Sequence, residues 1–117
     1  MNRLAIAAAV LCLGAPAAFA HGKLTSSTPA DGSSVAAPSE IDLSFSEALV
    51  LKFSAAEVTG PDKAPIATSA PRLKDGDKTL VVPFTAPAAP GVYRVEWHVL
   101  STDGHKTNGT FSFTVAP

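Results

Sequence analysis

The stretch Gly91-Val92-Tyr93-Arg94-Val95-Glu96-Trp97-His98-Val99-Leu100 decides the fold. Tyr93, Val95, Trp97 and Val99 alternate there with Arg94, Glu96 and His98. Successive side chains of an extended chain point to opposite faces, so this pattern predicts a strand with one buried and one solvated face. Ile41, Leu43 and Phe45 repeat the pattern against Asp42, Ser44 and Ser46, as do Phe111, Phe113 and Val115 against Thr110, Ser112 and Thr114. Leu80-Val81-Val82 before Pro83 is a shorter, more continuous run. Weaker strand signals lie at Lys23 to Ser27, Ala55 to Thr59 and Ile66 to Thr68. Between them fall Pro29-Ala30-Asp31-Gly32, Gly60-Pro61-Asp62, Lys74-Asp75-Gly76-Asp77 and Pro87 to Gly91, rich in the residues that set turn geometry. Asn108-Gly109 also reads as a turn, and Ala48 to Leu51 fits either a continued strand or one helical turn. About seven short strands predict an all-β domain, an immunoglobulin-like sandwich or a small Greek-key barrel.

The rest of the composition agrees. The 117 residues suit one domain and not two. With 46% hydrophobic and 16% charged residues, the chain is too apolar for disorder and too lightly charged for a coiled coil. Nine basic against ten acidic residues give a net charge of −1, which supplies no attraction for nucleic acid. The single cysteine, Cys12, has no intramolecular disulfide partner, and the single methionine is Met1.

Residues 1–20 read as a secretory signal peptide. Arg3 gives a positive start, Leu4 to Leu13 is an apolar run, and Ala18-Phe19-Ala20 forms an A-x-A cleavage site. The run is shorter than the about 20 residues that span a bilayer. Leu11 before Cys12 fits a lipoprotein signal poorly, so Cys12 is expected to leave with the peptide. Cleavage leaves residues 21–117, a domain with neither cysteine nor methionine, expected to be a soluble monomer exported to the periplasm.

The chemistry falls to few residues. Cleavage after Ala20 makes His21 the N-terminus, where a free α-amine and an imidazole can chelate one metal together. The amine has an ordinary pKa of about 7.7–8, so a metal displaces its proton near neutrality. Two coplanar nitrogens suit a tetragonal ion, Cu(II) or Ni(II). Ser101-Thr102-Asp103-Gly104-His105 adds a carboxylate and an imidazole two residues apart. His21, Asp103 and His105 then supply three nitrogens and one oxygen, a set that favours Cu(II) over the sulfur-seeking Cu(I). Against this, Asp103-Gly104 also reads as a plain hairpin turn with His105 a solvated flank, and His21 as a frayed terminus. His98 falls on the polar face of its strand beside Arg94 and Glu96 and reads as a surface residue. Glu47 follows an alternating strand and, on pattern alone, is simply exposed.

At three places the sequence resembles CopC proteins, the periplasmic copper-binding proteins of bacterial copper resistance and uptake. The blocks are His21 to Gly32, Ile41 to Glu47, and Gly91 to His105 continued by Phe111 to Val115. The resemblance implies a cupredoxin-like, immunoglobulin-like Greek-key fold. It also implies one Cu(II) site made by the α-amine and ring of His21, Asp103 and His105, with Glu47 matching a family acid that lies near the ligands. Some CopC proteins carry a second, Cu(I) site in a loop rich in methionine and histidine. Here the corresponding stretch, Val58 to Leu73, has neither residue type, so one Cu(II) per chain is expected. The favoured function is a periplasmic Cu(II) carrier or buffer that sequesters copper or delivers it to an inner-membrane copper transporter. The alternative is an oxidative copper enzyme of the lytic polysaccharide monooxygenase kind, which also uses an N-terminal histidine. Its substrate platform is hard to accommodate in 97 residues whose aromatics fall mostly on buried rows. A metal-free adhesion module is the remaining option.

Overall fold

A computed structural model describes residues 23–117. Eight strands form: β1 (Leu24–Thr28), β2 (Ser34–Val35), β3 (Glu40–Phe45), β4 (Ala55–Thr59), β5 (Arg72–Lys74), β6 (Thr79–Pro83), β7 (Gly91–Leu100) and β8 (Lys106–Val115). They make two four-stranded sheets, in the orders β1-β3-β6-β5 and β2-β8-β7-β4. The expected all-β sandwich is therefore present. The helical content of the described residues is one 3-10 turn over Leu51–Phe53. That turn settles the Ala48 to Leu51 ambiguity: Leu49 still bridges to Ser101 like a strand residue, and the chain coils directly afterwards.

The buried rows face each other across the sandwich. Ile41, Leu43 and Phe45 of the first sheet meet Tyr93, Val95, Trp97, Val99, Phe111, Phe113 and Val115 of the second. Tyr93 stacks on Phe113 with centroids 5.3 Å apart, and Phe45 and Trp97 meet edge-to-face with centroids 5.1 Å apart. The Tyr93 hydroxyl donates to the carbonyl of Ala89 at 2.7 Å. This contact closes the corner before β7 in the way a tyrosine corner does in immunoglobulin-like domains.

Three local expectations need correction. Asn108-Gly109 is not a turn: both residues lie inside β8, where Gly109 pairs with Trp97. A β-carbon on Gly109 would stand 2.6 Å from Cζ2 of Trp97, so the indole occupies the space a side chain would need. Ile66 to Thr68 is no strand. Its neighbourhood makes only isolated bridges, Thr59 to Pro65 and Thr68 to Phe84, and the strand that follows is β5. Lys74 ends β5, and the turn comes just after it, with Asp75, Gly76 and Asp77 all at positive φ.

The outer face of the first sheet carries a charged lattice over a buried valine. Lys74 reaches Asp42 at 2.8 Å and Arg72 reaches Glu40 at 3.5 Å, both across the intervening strand β6. Val81, which pairs with Asp42 on one side and Arg72 on the other, is fully buried on this face. The aliphatic stems of long cations cover apolar surface in this way while their heads stay in water. The Glu40 carboxyl is raised above its ordinary pKa, chiefly by its hydrogen bond with Asp42, then by burial and by the charge of Asp42. Lys74 is raised as well, first by its hydrogen bond to Asp42.

Candidate metal centre

The longest pairing in the molecule leads to the site. β7 and β8 pair from Gly91 with Val115 to Leu100 with Lys106. The five residues between them, Ser101 to His105, make the connecting turn. Gly104 sits at φ +92°, a conformation that disfavours any side chain, with nothing within 4 Å of where a β-carbon would be. Gly104 N–H donates to the Ser101 carbonyl and Ser101 N–H to the His105 carbonyl, both at 2.9 Å.

This turn brings Asp103 and His105 side by side. His105 Nδ1 stands 3.2 Å from Asp103 Oδ1, and the His105 backbone N–H donates to the same oxygen at 3.3 Å. Both side chains remain open to solvent, His105 by 56% and Asp103 by 30%. Two adjacent corners of a tetragonal site are separated by √2 times the bond length. Bonds of about 2.0–2.2 Å, the range for imidazole and carboxylate on a first-row ion, therefore place donors about 2.8–3.1 Å apart. The observed 3.2 Å is close to that spacing.

Ser101 is the residue that pattern reading passed over. It is buried to 1% exposure, and its hydroxyl donates to Asp103 Oδ1, with the His105 carbonyl 3.2 Å away. Ser101 thus fixes both halves of the pair, Asp103 through its hydroxyl and the His105 backbone through its N–H. The signal was present as a serine two residues before the aspartate. Only the turn, which brings that hydroxyl onto the carboxylate, gives the spacing meaning.

A strap running between the sheets ties this turn to the start of β1. The Lys23 N–H donates to Ser46 Oγ at 3.1 Å, and the Ser46 N–H donates back to the Lys23 carbonyl at 2.9 Å. Two residues further on, the Ala48 carbonyl accepts from the Thr102 N–H at 2.9 Å. Glu47 lies between these anchor points and is half-buried. His98 lies elsewhere: it is exposed on the outer face of β7, paired with Ala55 and Asn108. His21 and the 1–20 segment lie outside the described residues. Among the described residues no three His, Cys, Asp or Glu side chains converge, so Asp103 and His105 stand as a pair.

Comparison with known proteins gives a consistent family. Residues 24–116 match the family model described as CopC domain. Protein YobA of Escherichia coli strain K12 is 44% identical over 115 residues, covering 97% of this chain and 93% of that protein. Copper resistance protein C of Pseudomonas syringae pv. tomato is 43% identical over 104 residues, covering 84% of this chain and 82% of its own length. Among solved structures, PcoC from Escherichia coli, described as a methionine-rich copper resistance protein, superposes with a TM-score of 0.74 at 40% identity, covering 82% of this chain and 99% of PcoC.

Proposed function

This chain belongs to the CopC family of copper-binding resistance proteins, which are not enzymes, and from that premise we propose that it is an exported periplasmic carrier of one Cu(II). The ligands in this reading are the α-amine and ring of His21, exposed by cleavage after Ala20, with Asp103 and His105. Glu47 stands beside them rather than among them. The carrier buffers copper or passes it to an inner-membrane copper transporter.

One observation carries the reading: the Asp103–His105 pair sits at the end of the sandwich where β1 begins. Lys23 is pinned to Ser46, and Ala48 holds Thr102. His21 is two residues ahead of Lys23, and two extended residues reach about 7 Å. An amine and an imidazole arriving within that radius complete an N,O set from three residues, the composition that suits Cu(II). The absence of sulfur from residues 21–117 supports a single divalent site. PcoC is described as methionine-rich, whereas the one methionine here is Met1. The segment from Val58 to Leu73 lines an apolar groove with Pro61, Pro65 and Ile66 and offers no soft ligand.

The test is a Cu(II) titration of the chain starting at His21 beside one carrying a single extra residue ahead of it. The extension blocks the α-amine and leaves every described side chain in place. A loss of affinity of at least a hundredfold on extension is expected, and equal affinity refutes the chelate. Competition with a Cu(I) chelator should leave no Cu(I) on the protein.

A further inference from the structure

The 3-10 turn at Leu51–Phe53 packs beside the end of β7, through Val50 N–H donating to the Leu100 carbonyl and Leu100 N–H donating to Ser54 Oγ. Between this turn and the β7–β8 hairpin runs a groove of about 440 Å³. Lys52 and Phe53 of the turn line it together with His98, Lys106 and Asn108 of the two strands, Lys106 directly following the Ser101–His105 turn. No carboxylate lines it. Phe53 is 55% exposed and Leu51 39%, two of the three large apolar side chains that the described residues leave in solvent. The Lys52 ammonium lies 5.6 Å from the Phe53 ring centroid. Neither Lys52 nor Lys106 takes part in an ion pair among the described residues.

An exposed aromatic ring in a groove with two lysines and no carboxylate in its own lining is unusual on a domain with more acidic than basic residues, the nearest acids, Glu57 and Glu96, lining the adjoining pocket that shares His98 and Asn108. Aromatic anchors flanked by charge are what protein interfaces concentrate energy on, and unpaired lysines at the rim set the sign of the partner. We propose that this groove is a docking site for an acidic segment of a partner protein, its carboxylates meeting Lys52, Lys106 and the Asn108 amide and an apolar side chain covering Phe53. The groove would seat that segment directly beside the candidate copper turn. Its existence does not depend on the copper ligands, because no lining residue is one of them.

The experiment uses the processed chain, metal-free, with a synthetic twelve-residue peptide of alternating glutamate and leucine, and its glutamine counterpart as control. Amide chemical shifts should move at Phe53, Ala55, His98, Lys106 and Asn108 with the acidic peptide, and not with the glutamine one. Affinity should fall steeply between 50 and 300 mM salt. The double change Lys52→Glu, Lys106→Glu should weaken binding at least tenfold, and Phe53→Ser severalfold. Both variants should keep the wild-type Cu(II) affinity and unfolding midpoint, which separates a failure here from a failure of the copper reading. Shift changes elsewhere on the surface, binding unaffected by the charge reversal, or equal binding of the glutamine peptide would each overturn the proposal. So would adsorption to vesicles of anionic phosphatidylglycerol without peptide binding, which would assign the patch to a lipid surface instead.

Discussion

Replacing Gly109 by alanine tests how tightly the hairpin that carries the candidate site is packed. The new β-carbon would lie 2.6 Å from Cζ2, 2.9 Å from Cε2 and 3.1 Å from Nε1 of Trp97, where ordinary contact begins near 3.4 Å. The indole must therefore withdraw by about 0.8 Å. It has little room to do so, being 8% exposed and held edge-to-face against Phe45. Overpacking of this kind costs about 1–3 kcal/mol. Restricting the unfolded chain returns about 0.4–1 kcal/mol. The net loss is about 1–2 kcal/mol, which in a domain of this size lowers the unfolding midpoint by roughly 5–15 °C. Calorimetry or circular dichroism measures this without relying on Trp97 as the probe. In a Trp97→Phe background the benzo half of the indole is gone, so Gly109→Ala should become nearly neutral. The difference between the two backgrounds is the coupling energy. An unchanged midpoint in the wild-type background, or the same loss in both, refutes the assignment of this glycine to the ring above it.

Other outcomes follow from the same geometry. Asp103→Ala and His105→Ala should each weaken Cu(II) binding by at least tenfold with the metal-free unfolding midpoint within a few degrees of wild type, while His98→Ala leaves the affinity unchanged. Titration of each variant at fixed pH reads this directly. Ser101→Ala keeps all the proposed ligands but removes the hydroxyl that holds Asp103; it should weaken copper binding and cost about 0.5–1.5 kcal/mol of stability, the net worth of one hydrogen bond whose acceptor can turn to water instead. Glu40→Gln should raise the stability slightly at neutral pH, by about 0.5 kcal/mol or less. The sign follows from the raised Glu40 carboxyl: the folded state holds that proton more tightly than the unfolded chain, so the charged form costs stability. That cost begins to fall as pH drops to the folded carboxyl's raised pKa and is gone below the unfolded chain's lower one, and the advantage of glutamine should vanish with it in denaturant titrations at successive pH values.

The parts of the fold legible in the sequence are those where burial is one-sided. β3, β7 and the second half of β8 each have one face against the core, so apolar residues recur with period two. β2 and β5 have two and three residues, too few to display a period. The first half of β8 hides its inward face because Gly109 yields its place to the ring of Trp97, and an Asn-Gly pair then looks like a turn. At the candidate site, the side-by-side placement of Asp103 and His105 was legible from their spacing, and the solvated position of His98 from the parity of its strand. The part played by Ser101 was not legible, because a hydrogen bond across a turn depends on backbone direction rather than on pattern. The groove at Lys52 and Phe53 was equally silent, since it joins a 3-10 turn to strands more than forty residues away.

The pairing of β7 with β8 also sets how the domain can be attached to anything else. Val115 pairs with Gly91, at the far end of a ten-residue strand from Leu100 and the Ser101–His105 turn. At about 3.3 Å per residue that strand is roughly 30 Å long. A fusion partner, dye or solid support joined behind Pro117 is therefore held at the pole away from Asp103 and His105. Material joined ahead of Lys23 arrives at the same pole as the turn, through Ser46 and Ala48. For sensors, affinity matrices or oriented monolayers, the carboxyl end is thus the handle that leaves the pair facing solution.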